Sequence, residues 1–166
     1  MPEAILLVAF VTAQRLGEIW LARRNTTALL ARGGVELGAE HYPLIVALHT
    51  CWLGGLWLLA GDQPLDRMWL VAFILLQAAR AWVILSLGAR WTTRIIVVPG
   101  EAPVTNGPYR FLRHPNYVVV ALELAVVPLA LGLPVYALVF FLANLAVLSI
   151  RIRAENAALD QATAGP

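Results

Sequence analysis

Long apolar segments, separated by short polar ones, make up most of the chain. They cover residues 4–22, 43–60, 68–87 and 117–151, and about 20 apolar residues suffice for a helix to cross a bilayer. The last segment is too long for one crossing, and the turn-forming sequence Gly132-Leu133-Pro134 divides it into helices over 117–131 and 134–151. The pattern predicts an all-α integral membrane bundle of five transmembrane helices, with residues 1–166 in a single domain.

The charged residues predict how the bundle is oriented. Only 13% of the residues are charged, against about 25% in soluble domains, and every basic residue is an arginine. Nine arginines follow the first, third or fifth apolar segment: Arg23, Arg24, Arg32, Arg90, Arg94, Arg110, Arg113, Arg151 and Arg153. Because arginine is enriched in cytoplasmic loops, we expect these loops and the carboxy terminus to be cytoplasmic. A net charge of +2 is too small to indicate nucleic-acid binding.

The amino-terminal segment and the possible metal ligands can be interpreted in the same way. The segment lacks the basic region and the small-residue cleavage site of a signal peptide, so we expect a retained span. Cys51 is the only cysteine, which excludes a metal site built on a cysteine pair. His41 and His49 have no third ligand at a suitable spacing, so no metal is predicted.

A polar cluster lies directly before the fourth apolar segment, at residues 107–117, Gly-Pro-Tyr-Arg-Phe-Leu-Arg-His-Pro-Asn-Tyr. Gly107 and Pro108 predict a tight turn. Pro115 suits the first turn of a helix and disfavours helical geometry at His114, so a helix should begin here. Free N–H groups at a helix start and two nearby arginines attract anions. The cluster therefore indicates a site for an anionic or zwitterionic ligand.

Two further polar stretches are predicted on the same face of the membrane. Residues 88–114 form a long loop with an extended, β-branched part at 94–100, and ordered loops of that length are usually functional. Arg151 and Glu155 are four residues apart and hence share a helix face. They could be a salt-bridged helix end at the membrane surface, but their predicted position beside the polar cluster favours a shared site.

Several ionisable residues fall at membrane depth: Arg15, Glu18, His49, Arg80 and Glu123. Each costs roughly 3 kcal/mol or more unless it faces protein or water. We therefore expect Arg80 to pair with Glu123 or Glu18, and we interpret these residues as helix packing rather than catalysis.

From Gln77 to Leu159 the chain resembles the isoprenylcysteine carboxyl methyltransferases, integral membrane enzymes that use S-adenosylmethionine. The residues that carry the resemblance are GPYRFLRHPNY and the downstream Arg151-x-x-x-Glu155. GARWTTRIIVVPG and RHPNYVVVALEL are similar to a bacterial branch, some of whose members methylate alkylpyrones or alkylresorcinols. The resemblance implies a bacterial inner-membrane enzyme with its cofactor region at 94–117 and 151–159.

The resemblance also implies roles for individual residues. Cofactor-binding positions would be Glu101, Ala102, Pro103, Val104, Tyr109, His114, Pro115, Asn116, Tyr117 and Glu155. Glu155 would receive the cofactor's amino group, and Arg151 would orient the acceptor's anion as a catalytic and substrate-binding residue. His114 is a candidate base, needed only if the acceptor is a phenol, because a carboxylate is already ionised. Asn156 stands where many relatives have a second glutamate.

The reaction implied is transfer of a methyl group to a carboxylate or phenolic oxygen of a lipophilic acceptor, such as an isoprenylcysteine-like or alkyl-polyketide molecule. The sequence leaves the acceptor and the oligomeric state open. Two alternatives are an NADPH-dependent membrane reductase of the sterol type, whose carboxy-terminal region has a similar arginine-histidine-proline pattern, and a non-enzymatic membrane scaffold.

Overall fold

The computed structural model describes residues 2–61 and 63–164, with side chains in the carboxy-terminal helix described as far as residue 157. Its helices are α1 (Pro2–Ala31), α2 (Tyr42–Leu59), α3 (Arg67–Leu87), α4 (Pro115–Ala130) and α5 (Pro134–Ala164), and its strands are β1 (Val35–Leu37) and β2 (Ile95–Val97). Short 3₁₀ turns cover Ala39–His41, Gly88–Arg90 and Gly107–Arg110. The predicted all-α membrane bundle is confirmed.

Within this described part, four helices are long and apolar enough to cross a membrane, namely α1, α2, α3 and α5. Helix α4 has 16 residues, and at about 1.5 Å per residue it is shorter than a hydrocarbon core of about 30 Å. It begins at Pro115, as predicted from the sequence, and Gly132, with a φ of 66°, separates it from α5.

Helices α1 and α5 continue well beyond the apolar segments that predicted them. Helix α1 runs through the exposed Arg23 and Arg24 to Ala31, and α5 continues past Arg151. Hydrophobicity marks only where a helix lies in lipid, and neither segment meets a helix breaker at the point where it becomes polar. The extension of α5 allows both Arg151 and Glu155 to project from one rigid helix.

A small antiparallel sheet joins the polar segments. The predicted extended stretch forms β2, and its partner β1, which the sequence pattern did not predict, places Val35 opposite Val97. Gly34 makes the entry into β1 possible, because a Cβ there would lie 2.7 Å from the Leu29 carbonyl oxygen. The sheet holds the loop after α3 beside the loop after α1.

The two ends of the bundle differ in character. Residues 32–41, the long loop 88–114 and the last part of α5 lie at one end, which we call the loop end. The buried apolar core lies toward the other end and includes Leu7, Val8, Trp52, Leu56, Phe73, Leu124, Val127 and Leu131. Within it, the Trp52 indole N–H donates to the Leu124 carbonyl oxygen at 3.2 Å. The apolar end therefore anchors a polar loop end.

Candidate functional site

Five residues from the start of α4 and from α5 form a connected polar cluster at the loop end. The Tyr117 hydroxyl donates to the Glu155 carboxylate and accepts from Arg151 Nε at 2.7 Å. His114 Nε2 lies 3.0 Å from Asn156 Oδ1, and His114 Nδ1 lies 3.6 Å from Glu155. The rings of His114 and Tyr117 stack with centroids 5.4 Å apart. The structure thus brings together residues that are about forty positions apart in the sequence.

Arg151 and Glu155 do not form the salt bridge that was the alternative interpretation of their spacing. Each instead contacts the Tyr117 hydroxyl. Arg151 is only 8% exposed, and its second contact is a donation of 2.6 Å to the Thr93 carbonyl oxygen. Both of these partners are neutral, and no carboxylate among the described side chains is hydrogen-bonded to Arg151.

The Tyr109 hydroxyl belongs to the 3₁₀ turn that precedes α4. Burial, and to a lesser extent the Glu155 carboxylate, raises the pKa of Tyr109 to about 12, so its hydroxyl is protonated at neutral pH. Gly107 makes this turn possible, because its φ is 57° and a Cβ would collide with the Ser86 side chain. Tyr109 therefore offers a protonated hydroxyl near Glu155.

The predicted cofactor segment 101–104 has different partners. Glu101 forms ion pairs with Arg32 and with Arg90, the latter at 2.5 Å. Arg90 also donates to the Ala102 carbonyl oxygen at 2.6 Å, while Pro103 is exposed and Val104 is half-buried. These polar contacts fix the segment to the loops after α1 and α3, not to the His114–Glu155 cluster.

Two buried polar atoms beside the cluster have no hydrogen-bond partner within the described part of the chain. They are Asn116 Oδ1 and Trp91 Nε1, an acceptor and a donor. Buried polar groups are normally satisfied, and both residues also line a cavity at this end of the bundle. Pro115, which is also buried, starts the helix that positions Asn116.

A cavity of about 520 Å³ connects this cluster to the middle of the bundle. At the loop end its lining is polar: Tyr42, Trp91, Thr92, Thr93, Asn116, Tyr117 and Arg151. Farther in, the walls are mostly apolar side chains of α1, α2, α4 and α5. Such a shape suits an amphipathic molecule whose polar group lies beside Arg151.

The cavity opens sideways between α1 and α2. Leu16 and Ile19 of α1, and Val46 and Trp57 of α2, line the cavity and are also exposed on the surface of the bundle, Leu16 to 63%. In a membrane-spanning pair of helices that surface faces lipid. The Trp57 indole N–H donates to Thr12 Oγ1 at 3.0 Å, a hydrogen bond that links the two helices directly.

A closed ion network lies deeper in the bundle. Arg80 donates to Glu123 through Nε at 2.8 Å and also through a terminal nitrogen, and to Glu18 at 2.8 Å. Arg15 contacts the same two carboxylates, Glu123 at 2.7 Å and Glu18 at 3.2 Å. The predicted pairing of Arg80 is confirmed, with both candidate partners instead of one.

The sequence did not indicate Trp91, Thr93 or Tyr42 as site residues. Thr93 contributes a backbone carbonyl oxygen, which leaves no mark in the sequence. Tyr42 begins α2, where its hydroxyl lies 3.1 Å from Thr93 Oγ1 and its ring lies 4.6 Å below Arg94. The run of aromatic and hydroxyl residues at 91–93 inside an otherwise arginine-rich loop was the available signal.

The matched region of a protein-family model decides the assignment. Residues 69–161, more than half of the chain, match the model of the isoprenylcysteine carboxyl methyltransferase family. The chain belongs to this family. It is therefore a membrane methyltransferase, and the match contains nearly all of α3, the loop 88–114, α4 and the described polar cluster.

Two relatives match over nearly the whole length of this methyltransferase. The uncharacterised protein YpbQ of Bacillus subtilis is 41% identical over 162 residues, 94% of this chain and 96% of the relative. An uncharacterised protein of Haemophilus influenzae is 26% identical over 163 residues, 92% of each chain. No solved structure matches the chain significantly.

Proposed function

We propose that the protein is an S-adenosylmethionine-dependent O-methyltransferase that acts on a lipophilic acceptor in the membrane. The observation that carries this proposal is the cavity, which joins a polar cluster containing Arg151 to a lipid-facing opening between α1 and α2. A polar cofactor and a lipid acceptor can thereby approach from different sides. The arginine enrichment of these loops supports a cytoplasmic position for the polar side, in a bacterial inner membrane.

The residues of the cluster fit the cofactor's chemistry. The half-buried Glu155 carboxylate suits its amino group, and the protonated hydroxyl of Tyr109 is a donor for a carboxylate. Asn116 Oδ1 and Trp91 Nε1 offer an unsatisfied acceptor and donor nearby. When bound, S-adenosylmethionine supplies a methyl group on a positively charged sulfur.

Arg151 is assigned to hold the acceptor's oxygen. Its guanidinium donates hydrogen bonds to two neutral oxygens, the Tyr117 hydroxyl and the Thr93 carbonyl. Its positive charge can therefore stabilise a carboxylate or a phenolate at the cavity wall. Positioning of the reacting atoms and exclusion of water can contribute on the order of 7–11 kcal/mol to such a transfer. The bilayer and the apolar cavity wall exclude water from the acceptor's side.

His114 is assigned to position the cluster rather than to remove a proton. Both ring nitrogens already face partners, Asn156 at 3.0 Å and Glu155 at 3.6 Å. An acceptor that is ionised on arrival, or that ionises beside Arg151, therefore suits this site best. Asn156 replaces the second glutamate of many relatives and satisfies His114 without adding negative charge.

The test is methyl transfer from methyl-labelled S-adenosylmethionine to two probes, N-acetyl-S-farnesylcysteine and a long-chain alkylresorcinol, by the detergent-purified protein. We expect label in an extractable product of at least one probe. Release of the label by mild alkali identifies a methyl ester, and resistance to alkali identifies an aryl ether. Saturable cofactor binding without label in either product would contradict the proposed acceptor class.

A further inference from the structure

The ion network and His49 form a second polar layer at a defined depth below the loop end. Each of four helices has one residue in this layer and one at or next to its end at the level of the cavity's polar end. The pairs are Glu18 and Asn25 of α1, His49 and Tyr42 of α2, Arg80 of α3 and Gly88 directly after it, and Glu123 and Tyr117 of α4. The separations of six to eight positions correspond to about 9–12 Å along a helix. The layer therefore lies about 10 Å inside the cavity.

The four charges of this layer cancel, and each of its four carboxylate oxygens accepts a hydrogen bond. Both oxygens of Glu123 accept from Arg80. In addition, Gln77 donates to Glu123 Oε1 and Arg15 donates to Glu123 Oε2. Glu18 has one oxygen bonded to Gln14 and the other to the two arginines. Two arginines balance two glutamates, so the layer has no excess charge with which to bind an ion.

Two groups of this layer have an unused polar atom among the described residues: Arg15, whose Nε is a buried donor without a partner, and His49. The His49 Nδ1 atom lies 2.9 Å from the Ile45 carbonyl oxygen, and because a carbonyl can only accept, Nδ1 carries the hydrogen. In the neutral ring Nε2 is then an acceptor. The ring lines the cavity, and Nε2 has no hydrogen-bond partner among residues 2–61 and 63–157.

We infer that the deep layer is a second recognition site for the acceptor, which binds an uncharged hydroxyl donating to His49 Nε2 about 10 Å from the oxygen that is methylated. This inference rests on the proposed function. The walls between the two polar layers are apolar, with Ile45 and Val120 among them. The preferred acceptor thus has two oxygens separated by an apolar spacer, the inner one as an alcohol or phenol.

Two probes of equal shape test the inference. In para-(hydroxypropyl)phenol a terminal hydroxyl replaces the last methyl group of para-butylphenol, and its two oxygens lie about 9 Å apart when extended. Binding is measured by quenching of the tryptophans that line the cavity, Trp52, Trp57 and Trp91, with each affinity corrected for partition into detergent. This readout does not require turnover.

The variants are His49→Phe, which keeps a ring but removes the acceptor, and His49→Gln, which keeps an acceptor. His41→Phe, at a histidine outside the cavity lining, is the matched control. We expect His49→Phe to weaken binding of para-(hydroxypropyl)phenol at least tenfold, while its affinity for para-butylphenol changes less than threefold. His49→Gln and His41→Phe should each keep the wild-type ratio within about threefold.

If His49→Phe changes the affinity for both probes by the same factor, or changes neither affinity, the inference is wrong. If that variant fails to fold, the wild-type protein still tests the inference. After correction for partition, binding of para-butylphenol ten times tighter than that of para-(hydroxypropyl)phenol would show that the deep layer rejects a hydroxyl. Binding of S-adenosylhomocysteine is measured in the same samples. Its absence from the wild type would refute the proposed cofactor, whereas loss of probe selectivity alone would refute only the second recognition site.

Discussion

Replacement of Arg80 by glutamine tests how the buried ion network holds the bundle together. Arg80 is 3% exposed and donates to both Glu123 and Glu18. The variant leaves two glutamates at membrane depth with Arg15 as their single cationic partner in the described structure, and hence one uncompensated negative charge.

Breaking one side of a buried ion pair costs about 3–5 kcal/mol. A change of 1 kcal/mol shifts the midpoint of thermal unfolding by about 2–4 °C in a chain of this size, so the variant should unfold roughly 6–20 °C lower. Thermal unfolding in detergent, followed by tryptophan fluorescence, measures this shift. Arg67→Gln, at an exposed arginine that starts α3, is the matched control and should unfold within about 2 °C of the wild type.

The double variant Arg80→Gln with Glu123→Gln separates charge balance from the loss of hydrogen bonds. It leaves Arg15 with Glu18, a neutral pair, and should be more stable than Arg80→Gln alone. A midpoint for Arg80→Gln within about 2 °C of the wild type, or a double variant as unstable as the sum of the singles, would refute the view that the network is held by its charge balance.

Three further predictions concern the loop end. Arg151→Lys keeps the positive charge but loses the forked geometry with which the guanidinium reaches both Tyr117 and Thr93. We therefore expect kcat to fall at least tenfold while the affinity for S-adenosylhomocysteine changes less than threefold. A parallel loss of that affinity would argue against a role of Arg151 toward the acceptor. Gly107→Ala places a Cβ against Ser86 at a positive φ, and should lower stability by about 1–3 kcal/mol, measured as a lower unfolding midpoint; an unchanged midpoint would contradict the tight turn. The pKa of Tyr109 rises from its usual 10.0 to about 12 in the folded protein, so its contribution to stability is complete below pH 10 and is lost as the pH rises toward 12. Tyr109→Phe should flatten that part of the stability profile, and an identical profile would contradict the shift.

The sequence predicted the elements of the bundle well because lipid imposes a simple length and hydrophobicity on each crossing. It placed the starts of α3 and α4 within two residues and the break at Gly132. It did not predict how far α1 and α5 continue, since a helix that leaves the bilayer loses the apolar pattern without losing its backbone hydrogen bonds. Strand β1 was missed for a related reason: three residues are stabilised by pairing with β2, which lies sixty positions away.

The same contrast applies to the site. His114, Tyr117, Arg151 and Glu155 could be named because they are chemically distinctive residues in a short pattern, and the structure places them in one cluster. Segment 101–104 was assigned only from its position in the resemblance. In the structure its ion pairs join Glu101 to Arg32 and Arg90. The cavity itself depends on how α1 and α2 pack against each other and against α4 and α5, a property of tertiary packing that no local sequence pattern encodes.

The most direct test of the central claim is calorimetric titration of the purified protein with S-adenosylhomocysteine. Wild-type protein should bind it saturably, Glu155→Gln should bind at least tenfold more weakly because the carboxylate for the amino group is lost, and Glu40→Gln, at a glutamate whose side chain is 73% exposed, should bind like the wild type. Absence of binding by folded wild-type protein, or equal affinity in Glu155→Gln, would contradict the assignment of the cofactor site to this cluster.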